Sequence, residues 1–165
     1  MKTLDLGCGR RKLDGSIGID IIKYSCVDIV HDLNKFPYPL KDREIDIINC
    51  DDILEHLEDI TSVMKELHRI LKDNGQIVIV APHFSNLWSF SDPTHKHFFG
   101  YKSFEFYSGL QDNYLDIFKI KSRKITFGKF FKLFELFFNR FPELYERRFT
   151  FIVQASQIQV TLQKK

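Results

Sequence analysis

A chain of 165 residues with 44% hydrophobic content and 17 phenylalanines is one domain's worth and can bury a sizeable core. Its net charge of +2 is too mild for a dedicated nucleic-acid binder, and three cysteines (Cys8, Cys26, Cys50) without CxxC spacing argue against a disulfide framework or a zinc site. No signal peptide precedes Thr3 and no apolar run reaches the roughly 18 residues of a membrane span, so the expectation is a soluble, cytoplasmic protein.

In chain order, residues 4–6, 17–21 and 27–30 read as short β-rich runs. Residues 45–50 and 76–81 are continuous and β-branched, as buried strands are. Between these two, Ile60, Val63, Met64, Leu67 and Leu71 fall on one helical face, and Gly75 is expected to stop the helix after Lys72 and Asp73. Late in the chain, residues 118–127 and 149–162 read as two more strands, the second with the alternation of an antiparallel partner. Strands alternating with helical pattern predict an α/β domain with a largely parallel sheet.

The first strand runs into LDLGCGRRK, a Gly-x-Gly turn. A dinucleotide fingerprint requires a third glycine where this chain has Lys12, which argues against a nicotinamide cofactor. What stands there is Asp5-x-Gly7-x-Gly9, then Asp20 closing the next strand and Asp32 ending the one after. Glycines let the backbone approach an adenosine closely. A carboxylate at the neighbouring strand tip can accept hydrogen bonds from both ribose hydroxyls, and Asp32 could receive an adenine amino group.

LDLGCG, GIDI, HDLN and the long block from IDIINCDDILEHLEDI to NGQIVIVAP together resemble a class I S-adenosylmethionine-dependent methyltransferase, of the small-molecule group called methyltransferase type 11. The likeness covers about residues 3–107. It implies a Rossmann-like three-layer sandwich with a mostly parallel seven-stranded sheet and an antiparallel last strand. It also implies S-adenosylmethionine as cofactor. Asp5, Gly7 and Gly9 would line its methionine and adenosine portions, with Asp20 on the ribose and Ile21 against adenine. Asp32 and Leu33 would lie at the adenine edge, and Asn49, Cys50 and Asp51 near the methionine moiety. Arg11 replaces a glycine that many members carry. The spacers after the first two strands are so short that the chain must return without a helix. The amino-terminal half is therefore expected to be trimmed, with no lid before the first strand and one sheet face thinly covered. A single domain over 1–165 is expected, with a cofactor half (1–82), acceptor-side loops and a Phe-rich helix (83–148) and a final strand (149–165).

Methyl transfer depends on positioning, and a base is needed only when the acceptor must lose a proton. Asp52 and Glu55 after the fourth strand read as helix-capping groups or as functional acids, and His56 as structural. After the fifth strand, APHFSNLWSFSDPTHKHFFGYKSFEF holds the base candidates His83 and His95, with Asp92 as an orienting group or an ordinary Asx turn. Satisfied loop histidines are the alternative, and a metal set of His95, His97 and Asp92 is disfavoured because such spacing is common. NCDD after the fourth strand lacks the block that resembles base-amino methyltransferases, which counts against nucleic acid as acceptor. The expected activity is transfer of a methyl group to an oxygen or nitrogen of a small acceptor: a glycan, quinone-like or lipid-linked molecule. The alternative is a cofactor-binding module without transferase activity, acting within a complex.

Two expectations concern partners. The thinly covered sheet face points to a homodimer. Residues 127–141, FGKFFKLFELFFNRF, place eight apolar residues on an arc of roughly 160° of a helix. That helix packs on the sheet, covers an apolar acceptor as a lid, or touches a membrane surface.

Overall fold

The computed structural model describes residues 1–110 and 115–165, apart from the side chain of Phe130. Residues 111–114, within the expected acceptor-side segment, lie outside the described residues. The strands are β1 (Thr3–Leu6), β2 (Ile17–Asp20), β3 (Ile29–Val30), β4 (Ile45–Asp51), β5 (Leu71–Pro82), β6 (Phe118–Phe127) and β7 (Ala155–Lys164). Among the described residues they form one seven-stranded sheet in the order β3-β2-β1-β4-β5-β7-β6. The strands β1 to β5 pair in parallel, and β7 runs antiparallel to both of its neighbours. This is the expected Rossmann-like α/β architecture with a reversed last strand. The order turns back between β1 and β4, and ligands of such sheets gather at that switch point, beyond the carboxyl ends of the strands.

Central position explains the uniform apolar runs. Leu4, Asp5 and Leu6 are all buried because β1 has strands on both edges and cover on both faces. In β7, Ile158, Val160 and Leu162 are buried while Gln159, Thr161 and Gln163 are half-buried, so only one face of this end of the sheet carries the main core.

The helix α1 (Ile60–Ile70) supplies much of that core. Asp59 caps it, accepting from the Ser62 amide at 3.1 Å and the Ser62 hydroxyl at 2.6 Å. Ile60, Val63, Met64, Leu67 and Ile70 are buried, each contributing roughly 1.5–3 kcal/mol. The helix stops earlier than its sequence pattern predicts. Leu71 is already extended and pairs with Ile45 at the start of β5. Gly75 serves a close approach instead of a cap: a Cβ there would sit 2.8 Å from the Lys72 carbonyl oxygen and 3.1 Å from that of Asp46.

The links β1–β2 (residues 7–16) and β2–β3 (residues 21–28) contain turns only, as their length requires. Side chains hold them in place of helices. The Leu13 amide donates to Asp5 at 2.8 Å, the Gly18 amide to Asp28 at 2.7 Å, and Lys12 pairs with Asp28 at 2.7 Å.

The Phe-rich segment departs from the expected single helix. Phe127 ends β6, residues Lys129–Phe134 form a 3-10 turn, and only α3 (Glu135–Arg140) is α-helical, followed by α4 (Pro142–Arg148). The Asn139 side chain accepts from the Ile125 amide at 2.7 Å and donates to the Ile125 carbonyl at 2.8 Å, clipping α3 to the β6 edge. Phe127, Phe138, Tyr145 and Ala155 bury a second, smaller core, whereas Leu133, Leu136 and Phe137 are exposed. The strand expected from residue 149 begins at Ala155, because residues 149–153 continue as turns off α4, with the Phe149 amide on the Tyr145 carbonyl.

Candidate active site

At the switch point β1 ends in Gly7, whose amide and that of Cys8 both donate to the Ile19 carbonyl, drawing the loop onto β2. Gly7 sits at φ +68°, and a Cβ there would come within 2.4 Å of the Ile53 side chain. Only glycine fits. Gly9, also left-handed at φ +54°, donates its amide to Asp20 at 2.8 Å, and the Ile22 amide donates to the other Asp20 oxygen at 2.8 Å. The carboxylate is thus aimed, yet each oxygen keeps a further lone pair for a ligand hydroxyl.

Two clefts meet at Gly7. One, about 160 Å³, is lined by Asp20, Ile21, Asp32, Leu33, Ile53 and His56 among others. Ile21 offers it an exposed apolar side chain, while Asp32 accepts from the Asn34 amide at 3.0 Å. The other, about 240 Å³, is lined by Asp5, Cys8, Arg11, Leu13, Asn49 and Asp51. Asp5 is buried and already engaged, taking the Asn49 amide group at 2.9 Å and the Leu13 amide at 2.8 Å. Burial, reinforced by the charge of Asp5, raises the Asp51 carboxyl above its ordinary range. Cys50 turns its thiol into the core, where burial pushes it far up, so it can offer this cleft its backbone alone.

Residues 4–79 match a family described as a methyltransferase domain. The fold as a whole is similar to an S-adenosylmethionine-dependent methyltransferase from Archaeoglobus fulgidus (TM-score 0.65, 20% identity, 99% of this chain and 86% of that one). It is likewise similar to one from Mesorhizobium loti (0.60, 14%, 98% and 90%) and to a chain solved in complex with the Trm112 methyltransferase activator of Haloferax volcanii (0.60, 16%, 99% and 81%). No curated protein matches the sequence. Over residues 4–79, just under half of the chain, the sequence is similar to the methyltransferase domain family, and the fold is the one these S-adenosylmethionine-dependent methyltransferases have.

A second group of polar side chains is built on the turn after β4 and the loop after β5. Asp52 follows β4 at φ +47°, its amide on the Val80 carbonyl, and opens the 3-10 turn Leu54–His56. The amides of Lys96 and His97 both donate to the Glu55 carbonyl, stitching the distant loop onto this turn. His95 and His56 thereby meet edge to face, ring centroids 4.7 Å apart. Asp92 does not bond His95 directly, the nearest approach being 3.9 Å. It forms the Asx turn instead, accepting from the Thr94 amide at 2.8 Å and hydroxyl at 2.6 Å, and these bonds hold its carboxyl below the usual range. With its proton committed to Asp92, the Thr94 oxygen accepts from His56 Nδ1 at 2.9 Å. Asp92 therefore orients His56 through Thr94. Burial, then the neighbouring His95, pushes the His56 imidazole below its ordinary value.

His83 has a different place. It is fully buried and lines neither cleft. The Ser85 amide donates to its Nδ1 at 3.1 Å, which leaves the proton on Nε2, 3.2 Å from Glu146 of α4. Glu146 also accepts from the Tyr101 amide at 2.5 Å. His83 is a tie between β5, the following loop and α4, with both ring nitrogens taken. His97 points away from the histidine pair, towards the Glu58 carbonyl at 3.3 Å.

Two residues of the turn after β4 stand out more in the structure than in the sequence. His56, read as structural, lines the cleft of Asp20 and Ile21. Glu55, read as either a capping group or a functional acid, caps no helix: it is 1% exposed, and among the described residues neither of its oxygens has a hydrogen-bond partner. Burial raises its carboxyl to about 7, against its own backbone amide and with help from the charges of Asp52, Asp51 and Asp92. The available signal was the spacing Asp52-x-x-Glu55-His56, which one helical turn folds into a cluster.

Proposed function

We propose that this chain is a methyltransferase and that it holds S-adenosylmethionine across the two clefts. Asp20 takes the ribose hydroxyls, Ile21, Asp32 and Leu33 surround adenine, and Gly7, Gly9, Asn49 and Asp51 border the methionine portion, braced from behind by Asp5. The cofactor supplies a sulfonium methyl group open to in-line displacement. The chain's own part is to fix the acceptor's nucleophile on that line, and we assign this to His95 and His56, with Asp92 as a positioning group. The observation that carries the reading is the convergence of Asp20, Ile21, Asp32 and Leu33 on one cleft at the switch point of a methyltransferase fold.

The acceptor we infer is a small molecule with an oxygen or nitrogen nucleophile on an apolar body, lipid-linked or quinone-like in preference to a bare glycan. Leu87, Trp88, Phe90 and Phe98, on α2 (Leu87–Ser91) and the loop beyond it, are all exposed, and this segment meets His95 through the Ser89 carbonyl. A hydrophilic acceptor would give such a group of large side chains nothing to bury. Among the described residues no helix is long and apolar enough to cross a membrane.

Calorimetry with S-adenosylmethionine tests the cofactor half. Hydrogen bonds to a charged group are worth roughly 1.5–3 kcal/mol each, so Asp20→Ala should weaken binding at least tenfold. Unchanged affinity refutes the assignment. Cofactor bound tightly, with no S-adenosylhomocysteine formed from any hydroxylated or amine acceptor, would instead favour a binding module acting in a complex.

A further inference from the structure

We propose that Glu55, His56 and His95 form a binding site for one divalent transition-metal ion, of the zinc or manganese type, on the acceptor side of the cofactor cleft. One potential ligand atom from each residue lies within 4.8 Å of the other two. Donors held about 2.0–2.2 Å from a common ion stand roughly 3–4 Å apart, so closure needs a shift of about an ångström.

The surroundings are those of a prepared site. A ligating histidine usually donates its other ring N–H to a carbonyl or a carboxylate-linked group, which fixes tautomer and orientation. Both histidines do so. His56 Nδ1 is held at 2.9 Å by Thr94, itself bonded to Asp92, and His95 Nδ1 lies 3.1 Å from the Ser89 carbonyl. Each keeps Nε2 as its potential metal ligand. The third member is the buried Glu55 carboxylate, whose oxygens meet no donor among the described residues. Buried carboxylates are rarely left so unless a cation or a proton answers them.

Ligand chemistry selects the ion. Two imidazoles with one carboxylate suit zinc, manganese or ferrous iron, whereas calcium and magnesium favour oxygen-only shells. Three protein ligands leave coordination positions open, and His56 lines the cofactor cleft, so those positions face it. A role for the ion in gripping an acceptor oxygen beside the transferred methyl group rests on the function proposed above. Metal binding itself does not.

The test is equilibrium dialysis of the chelator-stripped chain against Zn²⁺ or Mn²⁺, with metal measured by mass spectrometry. Wild type should take up one equivalent. Glu55→Gln and His95→Gln should each lose at least tenfold in affinity, and Thr94→Ala about tenfold through the loosened His56. His97→Ala, on the same loop but outside the cluster, should bind as wild type does. A wild-type chain that takes up no stoichiometric metal, or variants that bind it undiminished, overturns the proposal. Because His95 sits on a surface loop, its variant keeps the test open if Glu55→Gln fails to fold. Calorimetry with S-adenosylmethionine on the same samples separates the two readings: a chain that binds cofactor but takes up no metal in dialysis sinks the site alone, and one that takes up metal but binds no cofactor sinks the cofactor assignment alone.

Discussion

Glu66 of α1 connects the core to the cleft lined by Asp20 and Leu33, and removing it should expose that connection. It is 8% exposed and accepts three hydrogen bonds: from the Tyr38 amide at 2.6 Å, Arg69 Nε at 2.9 Å and Arg69 Nη2 at 2.6 Å. The Tyr38 hydroxyl in turn donates to the carbonyl of Leu33, a cleft residue, at 2.9 Å. Glu66→Ala strands a buried amide, costing about 1–3 kcal/mol. Arg69 is partly compensated, since it keeps the Leu40 and Tyr38 carbonyls and Asp42. We expect a net loss of about 3 kcal/mol, which lowers the melting temperature of a chain this size by roughly 6–12 °C. Burial alone would raise the Glu66 carboxyl, but Arg69 and the Tyr38 amide prevail and hold it below its ordinary 4.5. A carboxyl depressed on folding stabilises the native state above its unfolded value and loses that contribution as pH falls through the folded one. The gap between wild type and Glu66→Ala, followed by thermal melts from pH 7 to pH 3, should therefore narrow only below about pH 4.5. Equal melting temperatures at pH 7 would refute the reasoning.

Two further outcomes follow from the loop and the Phe-rich segment. Gly7→Ala should weaken S-adenosylmethionine binding by at least tenfold by calorimetry, because its Cβ collides with Ile53 at a left-handed φ; adding Ile53→Ala should relieve the collision and recover only part of the affinity. Phe138→Ala should cost about 3–5 kcal/mol in urea unfolding, and Phe137→Ala less than 1 kcal/mol, since Phe138 is 4% exposed and Phe137 51%. Equal losses would mean that α3 packs through a different face.

Strand identity was legible in the continuous β-branched runs of β4 and β5, although one face of each is buried and the other only half-buried. Boundaries were not, because partners outside the segment set them. Asp28 spends its backbone amide and its side chain on Gly18, so β3 pairs only at Ile29 and Val30, although the apolar run begins at Val27. Leu71 fits the helical stripe equally well, but Ile45 is available to pair with it. The segment 127–141 misled for a related reason. Its periodicity is helical throughout, yet Phe127 is held in the sheet opposite Ala155, and the β6 edge captures Asn139. Pairing offered by a neighbouring strand outweighed local pattern in each case.

The residues expected to hold the cofactor gather at one end of the sheet because each sits at or just beyond a strand end, and strand ends of a parallel sheet converge whatever their separation in sequence. The residues expected to face an acceptor obey no such rule. His83 and His95 both follow β5 and both belong to an aromatic-rich loop, but their roles diverge at Ser85 and Asn86. The Ser85 amide turns back onto the ring of His83 and ties it to α4, while Asn86 starts α2 and carries the chain out and round. The return is fixed by two amides on one carbonyl, that of Glu55, and it brings His95 against His56 from 39 residues away. Backbone hydrogen bonds of that kind leave no mark on residue type. What the sequence did hold was Glu55 beside His56, an acid and an imidazole on one turn. A buried acid with nothing to answer it is informative only once its burial is known, and burial is a property of the fold. The same fact makes Glu55 the most telling position to alter: replacing it by glutamine removes a charge without removing volume, so a lost metal with an unchanged melting temperature would assign its role to binding and not to packing.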